Sequence, residues 1–149
     1  MSEHRAIIRW SRGETGFKYR EYTRNHDWEF PNGLIVNASA TRQFLGDPDQ
    51  VDPEEAFVAS LSSCHMLTLL AICAHKQMVV NSYVEHAVGF MNKNLNGKLA
   101  ITQVELHPQI QFSEETNLDR ESLIQLHDAA HHECFLANSV TTEIKTIIP

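Results

Sequence analysis

The stretch Asp52-Pro53-Glu54-Glu55-Ala56-Phe57-Val58-Ala59-Ser60-Leu61-Ser62-Ser63-Cys64-His65 decides how this chain is read. Asp52 is a good helix N-cap and Pro53 suits the first helical position. Glu55, three residues after Asp52, completes a capping box. Glu54 and Glu55 both favour the positive end of the helix dipole. The pattern predicts a helix from here to about His75 or Lys76, where basic residues suit the negative end. Its circumference is apolar almost all round, which predicts a central, packed helix rather than a surface one. The apolar run from Ala56 to Ala74 is interrupted by Ser60, Ser62, Ser63, His65 and Thr68, too polar a set for a membrane span.

Upstream of this helix the periodicity is two. Ala6 to Trp10 is short and extended in character, and Phe17 to Tyr22 alternates aromatic with charged residues. Phe30-Pro31-Asn32-Gly33 signals a turn, and Leu34 to Ser39 reads as a strand. A small N-terminal antiparallel sheet is expected. Residues 44 to 53, with Gly46, Pro48 and Pro53, break the pattern before the helix.

Downstream, strand character returns from Val79 to Phe90. It continues after the hairpin signal Asn96-Gly97 through Leu99 to Leu106 and Gln109 to Phe112, with Pro108 expected at an edge or bend. Asp119 can cap a second helix to about Glu133, with Leu123, Leu126, Ala130 and Cys134 on its apolar face. Ser139 to Ile148, rich in Val, Thr and Ile, is expected as a final strand. The fold class is α+β: N-terminal antiparallel sheet, long central helix, second antiparallel sheet, further helix and final strand, all in one domain over residues 1–149.

The 149 residues carry a formal charge of −7, which argues against nucleic acid or an anionic membrane as partner, since both need excess Lys and Arg. Met1 to Trp10 carries Glu3, His4, Arg5 and Arg9 and has no apolar core of a signal peptide, so a cytoplasmic protein is expected. In that setting Cys64, Cys73 and Cys134 read as buried, reactive or metal-bound thiols rather than a secreted disulfide framework. Cys64 shares a helical face with Ser60 and Ser63, and Thr68 lies one turn on. Such small polar groups on a packed helix need partners or an approaching substrate. Cys73, half a turn round from Cys64, is assigned to the core. His127, His131 and Cys134, at i, i+4 and i+7, could alternatively ligate zinc on one helical face.

The Pro-Glu helix start followed by Cys64, and then by Cys134 before the last strand, resembles the OsmC/Ohr family of osmotically inducible and organic hydroperoxide resistance proteins. The resemblance runs along essentially the whole chain. Glu54 to Cys64 has the family's ten-residue spacing. The family's N-terminal arginine falls best on Arg24, nine before Gly33, with Arg20 as the fallback. His65 after Cys64, and His131, His132 and residues 134–139, depart from the better-known branches.

The resemblance implies an intertwined homodimer that reduces organic hydroperoxides without a bound cofactor. Cys64 would attack the peroxide and become a sulfenic acid, and Cys134 would condense with it to a disulfide. An external dithiol, possibly a protein carrying a lipoyl-type group, would reduce that bond. Arg24 would favour the thiolate and Glu54 would orient its guanidinium through a bidentate pair. Ten helical residues span about 15 Å. Glu54 therefore either lies in a bent first segment or serves the Cys64 of a partner subunit. Phe44, Phe57, Met66 and Phe135 are candidate pocket residues. The competing expectations are a non-enzymatic redox-responsive or ligand-binding dimer of the same fold, and the metal protein using His127, His131 and Cys134.

Overall fold

The computed structural model describes residues 1–149, which divide into two compact units, Met1–Ala56 and Phe57–Pro149. The first unit holds an antiparallel sheet of three short strands in spatial order β1 (Ile7–Arg9), β2 (His26–Glu29) and β3 (Ile35–Ala38). The turn before β3 closes as expected: Gly33, at φ 84°, donates its N–H to the Phe30 carbonyl. Two differences stand out. The central strand is His26–Glu29, and Phe17–Tyr22 is not a strand but part of the loop between β1 and β2. The aromatic residues that alternate there do not line one face of a sheet. Phe17 and Tyr22 pack on each other and on Trp10, with ring centroids 5.2 to 6.1 Å apart. A local aromatic cluster thus replaces cross-strand pairing.

The long helix α1 (Pro53–His75) begins in the last residues of the first unit. Its capping box is reciprocal: Glu55 N–H donates to Asp52 Oδ1 at 2.8 Å, and Asp52 N–H to Glu55 Oε2 at 3.2 Å. It ends in a Schellman turn, with Met78 N–H on the Cys73 carbonyl, Gln77 N–H on that of Ala74, and Gln77 at φ 58°.

In the second unit β4 (Val80–Lys93) and β5 (Leu99–Phe112) form a long antiparallel hairpin. Gly97, at φ 71°, donates to the Asn94 carbonyl, and Asn94 Oδ1 accepts from the N–H groups of Asn96 and Lys98. β5 is one unbroken strand. Pro108 sits inside it opposite Glu85, beyond the stretch of β5 that pairs with the last strand, so the missing N–H leaves no second ladder broken. Helix α2 (Arg120–Glu133) is capped by Asp119, whose Oδ1 accepts from Ser122 N–H at 2.8 Å. The final strand β6 is shorter than expected, Glu143–Thr146, because Ala137–Ser139 forms a 3-10 turn. β6 also joins β5 in parallel, so this sheet is mixed. α2 supplies the crossover that a parallel neighbour requires.

One stripe of α1, Leu61, His65, Leu69 and Cys73 at four-residue spacing, is buried. Leu61 packs with Val104 and Leu106 of β5, and Leu69 and Cys73 pack with Leu126 and Ala130 of α2. Gly89 lets β4 come close to the helix: a Cβ there would lie 2.5 Å from Val58 Cγ2. α1 is the one helix long and apolar enough to cross a membrane. Its buried stripe, which includes a hydrogen-bonded histidine, marks it instead as a core helix. The expectation of burial all round is not met in the single chain, where Ser60, Ser63, Leu67 and Ala71 form an open face. Sheet and α2 cover the other side only.

Candidate functional site

Cys64 lies in the fourth turn of α1 and is half-buried, while Cys134 is buried at the C-cap of α2. The two sulfurs, 70 residues apart in sequence, are 2.8 Å apart, with the Cys134 thiol donating to the Cys64 sulfur. A disulfide bond is about 2.05 Å long, so bond formation requires a closure of only roughly 0.8 Å. Burial, and the hydrogen bond it donates to Cys64, raise the pKa of Cys134 above the ordinary thiol value. Cys134 therefore holds its proton and directs it at Cys64.

The turn after Cys134 is clamped. Asn138 Nδ2 donates to the carbonyls of His132 (2.8 Å) and Cys134 (3.1 Å), and Ser139 Oγ donates to the Phe135 carbonyl. The Ala137 N–H also points at Cys134 Sγ, at 3.5 Å. Cys73 is packed among apolar residues, where burial raises its thiol pKa.

The polar stripe beside Cys64 is less demanding than its sequence suggests. Ser60 and Ser63 are exposed, Ser60 Oγ bonds the Phe57 carbonyl, and Thr68 Oγ1 bonds the Cys64 carbonyl. The hydroxyl that reaches across the core is Ser62, which donates to Glu85 of β4, as Tyr83 does at 2.6 Å.

His65 and His127 form a feature that sequence reading missed. They are 1% and 2% exposed. Their Nε2 and Nδ1 atoms are 2.9 Å apart, with ring planes within 4° of parallel. Burial lowers both pKa values to about 4, keeping the pair neutral. The metal arrangement does not form: no three His, Cys, Asp or Glu side chains are grouped to hold an ion. The His127 Nδ1 is bonded to His65, and the Cys134 sulfur to Cys64. The four-residue rhythm of Leu123 and His127 was the available signal that His127 turns inward.

Arg24 and Glu54 belong to the first unit, where both line a cavity of about 510 Å³ walled by Trp10, Phe17, Tyr22 and Phe44. The bidentate Arg24–Glu54 pair is not formed. Arg24 donates instead to the carbonyls of Tyr19 and Tyr22, with its guanidinium 3.8 Å from the Tyr22 ring centroid. Backbone acceptors and an aromatic face in its own loop are nearer than the carboxylate. Arg20 is exposed. Of the other candidate pocket residues, Phe57 packs into the Leu61 core, Met66 is half-buried, and Phe135, next to Cys134, is 82% exposed.

The OsmC-like protein family matches residues 46–148, which include both cysteines. The chain belongs to the OsmC-like family. Among solved structures, an OsmC-like protein of unknown function from Vibrio cholerae is 45% identical over the whole of both chains, with a TM-score of 0.95. An organic hydroperoxide resistance protein from Elizabethkingia anophelis is 20% identical, with a TM-score of 0.76 over 99% of this chain and 96% of that one. A Bacillus subtilis organic hydroperoxide resistance protein is 16% identical, with a TM-score of 0.70 over 99% and 98%. These last two show that the OsmC-like chain shares their α+β fold. No match was found among curated protein sequences.

Proposed function

We propose that this OsmC-like chain is a cytoplasmic thiol peroxidase that reduces organic hydroperoxides through Cys64 and Cys134. The observation that carries the reading is the 2.8 Å approach of the two sulfurs. The half-buried Cys64 is the one peroxide can reach, and the buried Cys134 is the one that waits. The Cys64 thiolate attacks the O–O bond. With one proton taken up, it becomes Cys64–SOH and the peroxide leaves as ROH. The Cys134 thiol condenses with that sulfenic acid, forming the S–S bond and releasing water. An external dithiol then returns both cysteines to thiols by exchange and leaves as its own disulfide.

In the proposed homodimer, Arg24 and Glu54 of one protomer serve the Cys64 of the other. Their cavity, walled by aromatic residues, suits an alkyl or aryl body better than hydrogen peroxide.

The test is mass spectrometry after one equivalent of cumene hydroperoxide, followed by steady-state peroxide consumption with dihydrolipoamide. The protein should lose two hydrogens as a Cys64–Cys134 disulfide and then cycle. Cys64→Ser should abolish turnover, and Cys134→Ser should accumulate sulfenic or overoxidised Cys64. Full activity in Cys64→Ser rejects the reading. Oxidation without turnover would leave a redox-responsive binding protein instead.

A further inference from the structure

The buried imidazole pair lies on the two helices that carry the thiols. His65 follows Cys64 on α1, and His127 stands seven residues, about two turns, before Cys134 on α2. Its bond therefore ties the two helices together close to the point where the sulfurs meet. The tautomers follow from what surrounds it. His65 Nδ1 is buried without a partner. If His127 Nδ1 carried the shared proton, the His65 proton would sit on Nδ1 as an unsatisfied buried donor, the costlier choice. His65 Nε2–H therefore donates to His127 Nδ1, and the His127 proton sits on Nε2. That atom has no protein partner and is not closed off, and His127 lines two cavities of about 270 Å³ each.

We propose that the His65–His127 hydrogen bond positions Cys64 and Cys134 for disulfide formation, a role that rests on the thiol reading above. The bond is directional, and a packed aliphatic pair would not fix the helix register in the same way. It also requires one bare nitrogen. A proton added at His127 Nδ1 would set two N–H donors against each other and part the rings.

The groups facing the pair set when that happens. From α2 these are Arg120, Asp128 and His131. β5, β6 and the residues after β6 present only uncharged side chains there. Burial outweighs the one acidic neighbour that favours charge on His127, Asp128, so the bonded form holds at neutral pH.

The experiment compares the equilibrium constant of the Cys64–Cys134 disulfide against a dithiothreitol buffer from pH 4 to pH 8. Three full-length variants are set beside the unmodified protein. His127→Leu removes the bond. His127→Asn places an acceptor that does not titrate where Nδ1 was, and His65→Gln places a donor where Nε2 was while keeping the titrating His127. At pH 7, His127→Leu should lower the constant about tenfold, the scale of one buried hydrogen bond. His127→Asn and His65→Gln should stay within about threefold of the unmodified protein.

Below pH 5 the constant should fall in the unmodified protein and in His65→Gln, which keeps the His127 Nδ1 acceptor, and stay level in His127→Asn. If His127→Leu does not fold, this contrast in pH profile decides alone. A folded His127→Leu with an unchanged constant overturns the positioning role. So does a His127→Asn that falls as far as His127→Leu. Failure of the unmodified protein to form any Cys64–Cys134 disulfide overturns the thiol reading itself, and the positioning role with it.

Discussion

His65 and His127 pay for their burial in sensitivity to acid. Both have folded pKa values of about 4, below the ordinary histidine value of about 6.5. The unfolded chain therefore binds protons first as pH falls. The stability they contribute is complete above about pH 6.5 and is lost as pH drops through 4, on the order of 3 kcal/mol for one independent imidazole. Urea denaturation between pH 7 and pH 4 should show this loss, and the double variant His65→Gln, His127→Asn should remove most of it. An equal loss in the double variant would place the acid sensitivity elsewhere. The signs are opposite for Cys134, whose raised pKa means that its contribution is full at neutral pH and lost in alkali. Cys64 and Cys134 are visible in the sequence because cysteine is rare and its family spacing is distinctive. The histidine pair is not, since its members stand 62 residues apart and each is locally ambiguous.

At the scale of elements, what was legible is what is local. Asp52, Pro53 and Glu55 announce α1 because a capping box closes within four residues. Asn96-Gly97 announces the hairpin because the turn's hydrogen bonds, from Asn94 to Lys98, close within five residues. β2 was missed because His26-Asp27-Trp28-Glu29 carries no apolar alternation and is held by β1 and β3 on either side. Phe17 to Tyr22 misled because alternation records only that aromatic residues recur, not that they share a sheet face. The parallel direction of β6 depends on the α2 crossover and has no signature within Glu143–Thr146.

Gly89 shows the same limit, since nothing near it in sequence announces that Val58 lies against it. Gly89→Ala would set a Cβ 2.5 Å from Val58 Cγ2, inside van der Waals contact. The overpacking should cost about 1–3 kcal/mol in chemical denaturation. A variant as stable as the parent would mean that β4 and α1 part easily there.

The whole molecule poses the question of what covers α1. Its sequence is apolar nearly all round, yet its own sheet and α2 bury only the stripe through Leu61, His65, Leu69 and Cys73. On the open side, Ser60, Ser63, Leu67 and Ala71 recur at helical spacing. Three of the four are small, which permits another backbone to approach closely, and Leu67 is 60% exposed. A second copy of the chain is the partner that would present the same face, as a two-fold interface requires. Leu67→Glu should leave the fold intact, because the residue touches little of its own core. It should shift sedimentation from dimer toward monomer at micromolar protein. If Arg24 and Glu54 act on the Cys64 of the other protomer, peroxide turnover in Leu67→Glu should fall with the dimer fraction and recover as protein concentration rises. Full activity in a monomeric Leu67→Glu would place the whole reaction within one chain. Monomeric sedimentation of the unmodified protein would end the dimer proposal.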